Sequence, residues 1–293
     1  MEIVSRRKRM MSVARRLRRE ENRTIGLVPT MGALHQGHLS LIHEARALCD
    51  VVVVSVFVNP AQFGPSEDFE SYPRDLTRDS ALLAEYNVDY VFAPTVEEIY
   101  PHGFSSYVTV EGLSDKLEGA ARPGHFRGVT TVVSILLNIV RPNFAFFGQK
   151  DAQQSIVIKQ MVRDLAFDSE IVVSPIVREE SGLALSSRNS YLDDSERKAA
   201  AILNQALLQA RTAYADGERN AAKLIEIVRS TIADEPRARI DYVSLNDGET
   251  LEKLDRIHER PALLSLAVFI GKTRLIDNVV LSESKKIAVT ANG

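Results

Sequence analysis

The sequence predicts an α/β fold, with a doubly wound parallel sheet and a smaller C-terminal α+β domain. Three observations predict it. Short β-branched runs alternate with helix-like segments over roughly the first 175 residues. One run, 51–58 (VVVVSVFV), is almost continuously apolar, as in parallel strands that are covered on both faces. After about residue 177, a group of helices is followed by a group of strands.

The elements of the first domain follow from the spacing of apolar residues. Short β-branched and apolar runs indicate strands, whereas apolar residues at every third or fourth position indicate helices. Pro142 ends one such helix, because proline cannot continue it. In chain order we expect strand 24–28, helix 39–48, strands 51–58 and 89–93, helix 129–140, strand 143–147, helix 151–165 and strand 170–173.

The C-terminal part follows a different pattern. A run of helices followed by a run of strands predicts a small antiparallel sheet. We therefore expect a first domain over residues 1–176 and a second over 177–293, although no Gly/Ser-rich linker marks the boundary. The elements expected in the second domain are helices 194–214 and 221–232 and strands 240–245, 263–270 and 275–281.

The composition argues against several classes of protein. The chain has 293 residues, of which 45% are hydrophobic and 26% charged, and its net charge of -3 gives it no polycationic character for nucleic acid. The longest apolar runs are far too short to cross a bilayer, so we expect no membrane partner. No apolar core follows the basic N-terminus, so we expect no signal peptide. Cys49 is the only cysteine, which excludes an internal disulfide framework and favours the cytoplasm.

The arginine-rich N-terminal segment is explained most simply as a helix. Met10, Val13, Ala14 and Leu17 recur at helical spacing, which predicts an amphipathic helix with a solvated basic face. A nucleic-acid patch or a membrane-surface helix is the alternative explanation of the same charges.

The segment 28–42 (VPTMGALHQGHLSLI) is the main candidate for a functional site. A strand, a tight turn and a helix start follow one another, and α/β proteins present backbone N–H groups to phosphate at such a position. His35 and His38 are three residues apart and fall on one side of the first helical turn, while Gly37 lets a ligand approach. This predicts an anion site for a nucleoside triphosphate. The alternatives are a helix cap, a surface feature or half of a metal site, although Gln36 stands where a metallohydrolase helix needs glutamate.

Three further loops follow expected strands or precede a helix. Asn59 and Gln62 lie after strand 51–58, where their amides suit hydroxyls or a carboxylate, although an Asn-Pro turn alone also explains the segment. The second loop follows strand 143–147. There Lys150 can neutralise phosphate, and Asp151 can cap a helix, accept from a ribose hydroxyl or help to hold a metal ion. Gln154 lies one helical turn beyond Lys150.

The third of these loops, 185–189 (LSSRN), brings two hydroxyls together with a guanidinium. Ser186, Ser187 and Arg188 suit a clamp for triphosphate oxygens, or they form a cap and turn before the next helix. The chain has no Walker sequence and no Gly-x-Gly-x-x-Gly, which argues against a P-loop NTPase and a Rossmann dehydrogenase.

Together these motifs resemble a known family. The His-x-Gly-His pair with a downstream Ser/Arg loop is similar to the nucleotidyltransferase superfamily, which includes the class I aminoacyl-tRNA synthetases. The ordered set PTMGALHQGH, FVNPAQFG, YPRD, GHFRGV, FFGQKDAQQ and LSSRNSYL is narrower. It resembles the pantothenate synthetase (pantoate–β-alanine ligase) family across essentially the whole chain.

The resemblance implies a fold, an activity and a location. It implies a Rossmann-like N-terminal domain that binds ATP and pantoate, a C-terminal lid domain, and a cytoplasmic homodimer without nucleic-acid or membrane partners. The implied reaction uses ATP and Mg²⁺ to join (R)-pantoate to β-alanine through pantoyl adenylate. It yields pantothenate, AMP and pyrophosphate, in the biosynthesis of pantothenate and coenzyme A.

The resemblance also implies roles for individual residues. The implied catalytic residues are His35, His38, Lys150 and Arg188, with His38 as a proton donor. Gln62 is implied to contact pantoate and β-alanine, and Gln154 and Asn59 are further substrate-binding candidates, while Asp151 is the candidate metal ligand. Gln149, Ala152 and Leu185 depart from the family pattern at the adenine pocket and metal site. The implied ATP-binding residues are Met31, Gly32, Ala33, Leu34, His35, Gln36, Gly37, His38, Gly148, Gln149, Lys150, Asp151, Val177, Leu185, Ser186, Ser187 and Arg188.

Two other functions remain open on the residues alone. A related nucleotidyltransferase could transfer an adenylyl group to a phosphate acceptor, but loop 59–64 carries no extra Arg or Lys for that acceptor. A non-catalytic RNA-binding relative could use the basic N-terminal helix, but the net negative charge of the chain argues against it.

Overall fold

The computed structural model describes residues 1–65 and 67–283. The chain divides into two compact units, the first ending at Asp193 and the second beginning at Asp194. The expected boundary after residue 176 lies earlier in the chain. Segment 177–193 belongs to the first unit because it folds back on itself through the Arg178–Ala184 bridge, and Arg188 forms an ion pair with Asp68 of that unit.

The described part of the first unit contains a six-stranded parallel sheet, which confirms the predicted fold class. The strand order is β1-β4-β3-β2-β5-β6, so the direction of winding reverses between β2 and β5. In open α/β sheets, ligands bind beyond the carboxyl ends of the strands at such a reversal. The strands are β1 (Glu2–Val4), β2 (Ile25–Thr30), β3 (Val51–Val56), β4 (Tyr90–Phe92), β5 (Phe144–Gly148) and β6 (Glu170–Ser174).

Helices flank this sheet, and most of them match the predicted pattern. The N-terminal helix buries Met10, Val13, Ala14 and Leu17, the four residues whose spacing predicted it. The helix at Leu76–Glu85 was not predicted. The helices are α1 (Arg7–Arg19), α2 (Gln36–Leu48), α3 (Leu76–Glu85), α4 (Val96–Ile99), α5 (Glu118–Ala121), α6 (His125–Val140) and α7 (Ala152–Asp164).

The core of the first unit explains why β3 is a run of valines. Val52 and Val54 are fully buried in one cluster with Ile42 of α2 and Phe146 of β5. Val53, which points to the opposite face, is also fully buried. Both faces of a central parallel strand are covered, so every position favours an apolar, β-branched residue.

The second unit has the predicted α+β organisation. Its described strands form an antiparallel sheet with Ala262–Ile270 in the centre. The helix Ile202–Ala215 packs against the helix Ala221–Ala233. The helix expected at 194–214 is two helices, with a break at Ala201. Among the described residues of the whole chain, no helix is long and apolar enough to span a membrane. The elements of the second unit are α8 (Asp194–Ala200), α9 (Ile202–Ala215), α10 (Ala221–Ala233), β7 (Ala238–Asp247), β8 (Ala262–Ile270) and β9 (Thr273–Leu281).

Candidate active site

A cavity of about 240 Å³ lies in the first unit, where β2 and β5 end at the reversal of the sheet. Most of the residues that the sequence singled out contribute to its wall. Gly32, Ala33, Leu34, Gln36 and Gln149 do not, and ATP contacts stay a prediction for the residues on the wall as well as for these five. The predicted residues on the wall are Met31, His35, Gly37, His38, Asn59, Gln62, Gly148, Lys150, Asp151, Gln154, Val177, Leu185, Ser186, Ser187 and Arg188.

The turn between β2 and α2 is held by a buried carboxylate. Asp79 of α3 is 1% exposed and accepts hydrogen bonds from the backbone N–H groups of Ala33, at 2.9 Å, and Leu34, at 3.0 Å. Gly32 has φ +83°, and a Cβ there would lie 2.9 Å from Asp79 Oδ2, so the turn requires glycine. The N–H groups of Ala33 and Leu34 are therefore used inside the protein, and the first residue after them that lines the cavity is His35.

The two histidines cap the helix that they precede. The backbone N–H of Gly37 donates to His35 Nδ1 at 3.1 Å, and the N–H of His35 donates to His38 Nδ1 at 3.4 Å. The ring centroids are 4.1 Å apart. Because both Nδ1 atoms accept hydrogen bonds, each neutral ring carries its proton on Nε2. The cap and the ligand site, which the sequence left as alternatives, are thus compatible.

Both imidazoles are uncharged in the ligand-free protein at neutral pH. Burial, assisted by the positive charge of Lys150, lowers the pKa of His35 from 6.5 to about 4. Burial and the neighbouring His35 lower the pKa of His38 to about 3, against an opposing effect of Asp151. The pair therefore offers N–H donors to an anion, whereas positive charge on this wall comes from the side chains of Lys150, Arg188 and Arg122.

Lys150 and Arg188 each have a carboxylate neighbour. Lys150 Nζ lies 3.3 Å from Asp151 Oδ1, and Arg188 lies 3.0 Å from Asp68 Oδ1. Burial disfavours the charged form of Asp151, but the charge and hydrogen bond of Lys150 together with the charge of Arg188 outweigh burial and keep the pKa of this carboxyl below its usual range. Tyr191 also donates to Asp68, at 3.2 Å. An anionic ligand would therefore meet cations that are already positioned by ion pairs.

The turn 59–62 brings a neutral amide to the cavity wall. Gln62 is half-buried, and its Nε2 lies 3.2 Å from Met31 Sδ. Asn59 is only 1% exposed, and its Nδ2 donates to Gln62 Oε1 at 3.0 Å. The two amides are therefore linked, with Gln62 nearer the ligand space.

A second polar cluster lies at the cavity wall, and no role was predicted for it from the sequence. Arg122 makes a bidentate ion pair with Glu67, with both N–O distances 2.7 Å, and also contacts His125 Nε2 at 3.1 Å. His125 Nδ1 lies 2.8 Å from the carbonyl oxygen of Gln62, so this nitrogen carries the proton. The GHFRGV motif contains His125 and could have signalled the cluster, but Glu67 is 55 residues from Arg122 in sequence.

The close approach of α6 to the turn 59–62 depends on one glycine. A Cβ at Gly128 would lie 2.2 Å from the carbonyl oxygen of Ala61 and 2.6 Å from the Cα of Gln62. Distances this short are not tolerated, so Gly128 lets the helix contact the backbone of the turn that carries Gln62.

This geometry defines a class of protein: a nucleotide-binding α/β enzyme whose anion site begins at a histidine-capped helix. The sequence matches the family model for pantoate-beta-alanine ligase over residues 2–280. It is 57% identical to the pantothenate synthetase of Herpetosiphon aurantiacus over 88% of this chain and 93% of the relative. It is 58% identical to that of Moorella thermoacetica over 90% of this chain and 93% of the relative. This chain belongs to the pantoate–β-alanine ligase family.

Solved structures of the same family share the fold. The pantothenate synthetase from Thermus thermophilus is 46% identical, with a TM-score of 0.90 over 96% of this chain and 100% of that one. The pantoate-beta-alanine ligase from Francisella tularensis, solved with beta-gamma ATP and beta-alanine, is 38% identical. Its TM-score is 0.78, over 96% of this chain and 97% of that one. The Rossmann-like fold implied by the sequence motifs is thereby confirmed.

Proposed function

We propose that this ligase joins pantoate to β-alanine in two steps at the cavity where β2 and β5 end. One observation supports the proposal: the same cavity wall holds groups whose chemistry suits phosphate (His35, His38, Lys150 and Arg188) and the neutral amide of Gln62. Such a wall accommodates a nucleoside triphosphate beside an uncharged recognition group for a small acid. Membership of the pantoate–β-alanine ligase family supports the same conclusion.

In the first step, a carboxylate oxygen of pantoate attacks the α-phosphorus of ATP. A P–O bond to pantoate forms, the bond to the β-phosphate oxygen breaks, and pyrophosphate leaves. A carboxylate is a weak nucleophile, so the rate depends on alignment and on stabilisation of negative charge at phosphorus. Lys150 and Arg188 supply positive charge, and the Nε2–H groups of His35 and His38 donate hydrogen bonds to phosphate oxygens.

In the second step, the amine of β-alanine attacks the acyl carbon of pantoyl adenylate. The amine attacks in its neutral form: a C–N bond forms, the bond to the phosphate oxygen breaks, AMP leaves with the electron pair, and the nitrogen releases one proton to water. Donors that bind the α-phosphate in the first step also stabilise the phosphate of departing AMP. His38, as a neutral imidazole with its proton on Nε2, can donate a hydrogen bond to the phosphate in both steps, and this is the form in which it fits the donor role that the resemblance implies.

Gln62 and Gln154 recognise pantoate in this proposal. Their amides hydrogen-bond its hydroxyl and carboxylate groups without placing a fixed charge beside the nucleophile. A cation there would bind the carboxylate more tightly in the ground state and make it a poorer nucleophile. Asn59 is 1% exposed and donates to Gln62 Oε1, so it supports the Gln62 amide, and its own contact with substrate stays a prediction.

Mg²⁺ accompanies ATP, and it neutralises charge on the phosphates when bound. Among the described residues, no cluster of three or more His, Cys, Asp or Glu is suited to hold a metal ion. Asp151 supplies one carboxylate, whose side chain is 45% exposed. This fits Mg²⁺, which commonly binds through one or two carboxylates together with substrate phosphates and water.

Three further features belong to the proposal. A cytoplasmic location is supported by the single cysteine and a homodimer by the family resemblance. A lid function for the second unit is supported by the chemistry, because an acyl adenylate is sensitive to water and benefits from enclosure.

Exchange of labelled pyrophosphate into ATP tests the proposal. We expect exchange with pantoate present and β-alanine absent, because only reversible formation of pantoyl adenylate returns label to ATP. Exchange without pantoate, or with a phosphorylated acceptor in its place, would indicate adenylyl transfer and overturn the proposal. The absence of exchange, combined with salt-sensitive binding of tRNA, would favour the RNA-binding alternative.

A further inference from the structure

We propose that Tyr100 is a positioning residue which, through Asn59, turns the amide of Gln62 so that its NH₂ group faces the cavity. The inference rests on the proposed function, in which Gln62 binds pantoate. It concerns a residue at the end of α4 that is outside the cavity wall and that no motif singled out. Two backbone groups determine the orientation of the Asn59 amide.

The amide of Asn59 has only one orientation that satisfies its neighbours. Its Oδ1 lies 3.3 Å from the backbone N–H of Ala61, which can only donate. Its Nδ2 lies 3.1 Å from the carbonyl oxygen of Gly128, which can only accept. Rotating the amide by 180° would bring donor against donor and acceptor against acceptor at a site that is 1% exposed.

This orientation makes Tyr100 a hydrogen-bond donor. The Tyr100 hydroxyl lies 2.7 Å from Asn59 Oδ1, an atom that can only accept. Burial raises the pKa of Tyr100 far above its usual range, so the phenol keeps its proton at every working pH. Asn59 Oδ1 then accepts from both Tyr100 and Ala61, and it uses its full acceptor capacity.

The same orientation determines which end of the Gln62 amide faces outward. The second N–H of Asn59 Nδ2 donates to Gln62 Oε1 at 3.0 Å, so this oxygen is turned toward Asn59. Gln62 Nε2 is at the opposite end, 3.2 Å from Met31 Sδ, which is a weak acceptor. Amide oxygen and nitrogen are nearly equal in size, so hydrogen bonding and not packing selects the orientation. The cavity therefore presents a donor here, which matches a carboxylate or hydroxyl oxygen of the acid.

The backbone of Gln62 is held separately from its side chain. His125 donates to the Gln62 carbonyl oxygen at 2.8 Å, and Gly128 lets α6 contact the same turn. The Tyr100 ring packs against Phe104, with centroids 5.0 Å apart, and phenylalanine keeps that packing. Tyr100→Phe therefore removes one donor from the chain of hydrogen bonds and leaves the turn in place.

The test is the pantoate dependence of pyrophosphate–ATP exchange in the full-length Tyr100→Phe enzyme. Loss of one net hydrogen bond predicts a rise of about fivefold to tenfold in the KM for pantoate. We expect the KM for ATP to change by less than about twofold, because the chain of hydrogen bonds from Tyr100 ends at Gln62, which binds pantoate in this proposal. Tyr107→Phe is the matched control. The Tyr107 ring packs against Phe104, as the Tyr100 ring does, but Tyr107 is 44% exposed, so we expect wild-type kinetics.

A double-mutant cycle with Gln62→Ala separates positioning from general destabilisation. If Tyr100 acts through Gln62, Tyr100→Phe should have no further effect on the pantoate KM once Gln62 is removed. An equal effect in both backgrounds, an unchanged pantoate KM in the single variant, or an equal rise in the ATP KM would overturn the inference. Failure of wild-type enzyme to show pantoate-dependent exchange would instead overturn the proposed function, so the two failures are distinguishable.

Discussion

At the scale of single residues, His35 and His38 serve both the helix and the cavity. Each ring uses Nδ1 to accept a backbone N–H at the start of α2, and this leaves the Nε2 proton available to a ligand. A pair of lysines could bind phosphate but could not accept those backbone protons. Because the pKa of both rings is well below neutrality, the rings can offer directed hydrogen bonds but no charge, and the nearby positive charge that lowers both pKa values is that of Lys150, just after β5.

The role of His38 can be tested with two substitutions. His38→Ala removes the Nε2–H donor, and we expect pantoate-dependent adenylate formation to fall about 100-fold in kcat. His38→Gln should retain much more activity, because glutamine at the third helical position can accept the His35 N–H through Oε1 and present an N–H donor through Nε2. Measurement is by single-turnover adenylate formation, with the exposed His43→Ala on the same helix as control. Near wild-type activity of His38→Ala would show that the role is wrong.

At the scale of elements, the β2–α2 turn depends on α3. Asp79 uses both carboxylate oxygens on backbone N–H groups of the turn, and it thereby fixes Gly32 and Ala33 in left-handed conformations. The non-glycine Ala33, with φ +51°, is strained, so a specific contact is needed to hold it there. The sequence motif is thus incomplete without a carboxylate from a helix much later in the chain.

We expect Asp79→Asn to damage both stability and ATP binding. Asparagine keeps one acceptor, but it places an NH₂ group against a backbone N–H in a buried site, which costs about 1–3 kcal/mol. The free energy of unfolding should fall by this amount, and the KM for ATP should rise as the turn loses its shape. Asp75→Asn is the control, because Asp75 caps α3 through one oxygen and asparagine caps equally well. Equal effects of the two substitutions would contradict this account.

The same contacts show what could be predicted from sequence. Strands and helices follow local periodicity, so the parallel sheet and the position of the histidines at its edge were predictable. The contacts that organise the site join residues far apart: Asp79 and Ala33 are separated by 46 positions, Tyr100 and Asn59 by 41, and Arg188 and Asp68 by 120. A single sequence carries no local signal for such pairs. The break at Ala201 was missed for another reason, since apolar spacing continues across it.

At the scale of the whole molecule, buried histidines link the site to stability. Burial, reinforced by the charge of Arg122, lowers the pKa of His125 from 6.5 to about 4, and His35 and His38 are lowered to about 4 and about 3. In unfolded chains each of these rings binds a proton below pH 6.5 or so, whereas in the folded protein it stays neutral. Protonation of the unfolded chain therefore lowers the free energy of unfolding as the pH falls from about 6.5 toward 4. Above about pH 6.5 the rings are neutral in both states and cause no such loss.

This pH dependence predicts a specific effect of His125→Gln. The variant has one fewer group that binds protons preferentially in the unfolded state, so its unfolding free energy should decline less steeply between about pH 6.5 and 4.5. A shift of the size found for His125 corresponds to at most about 3 kcal/mol over the full range. Urea unfolding at several pH values measures the slope, independently of any loss of stability at neutral pH. His102→Gln is the control, because His102 is exposed; parallel slopes for wild type and His125→Gln would show that the buried imidazole does not determine acid stability.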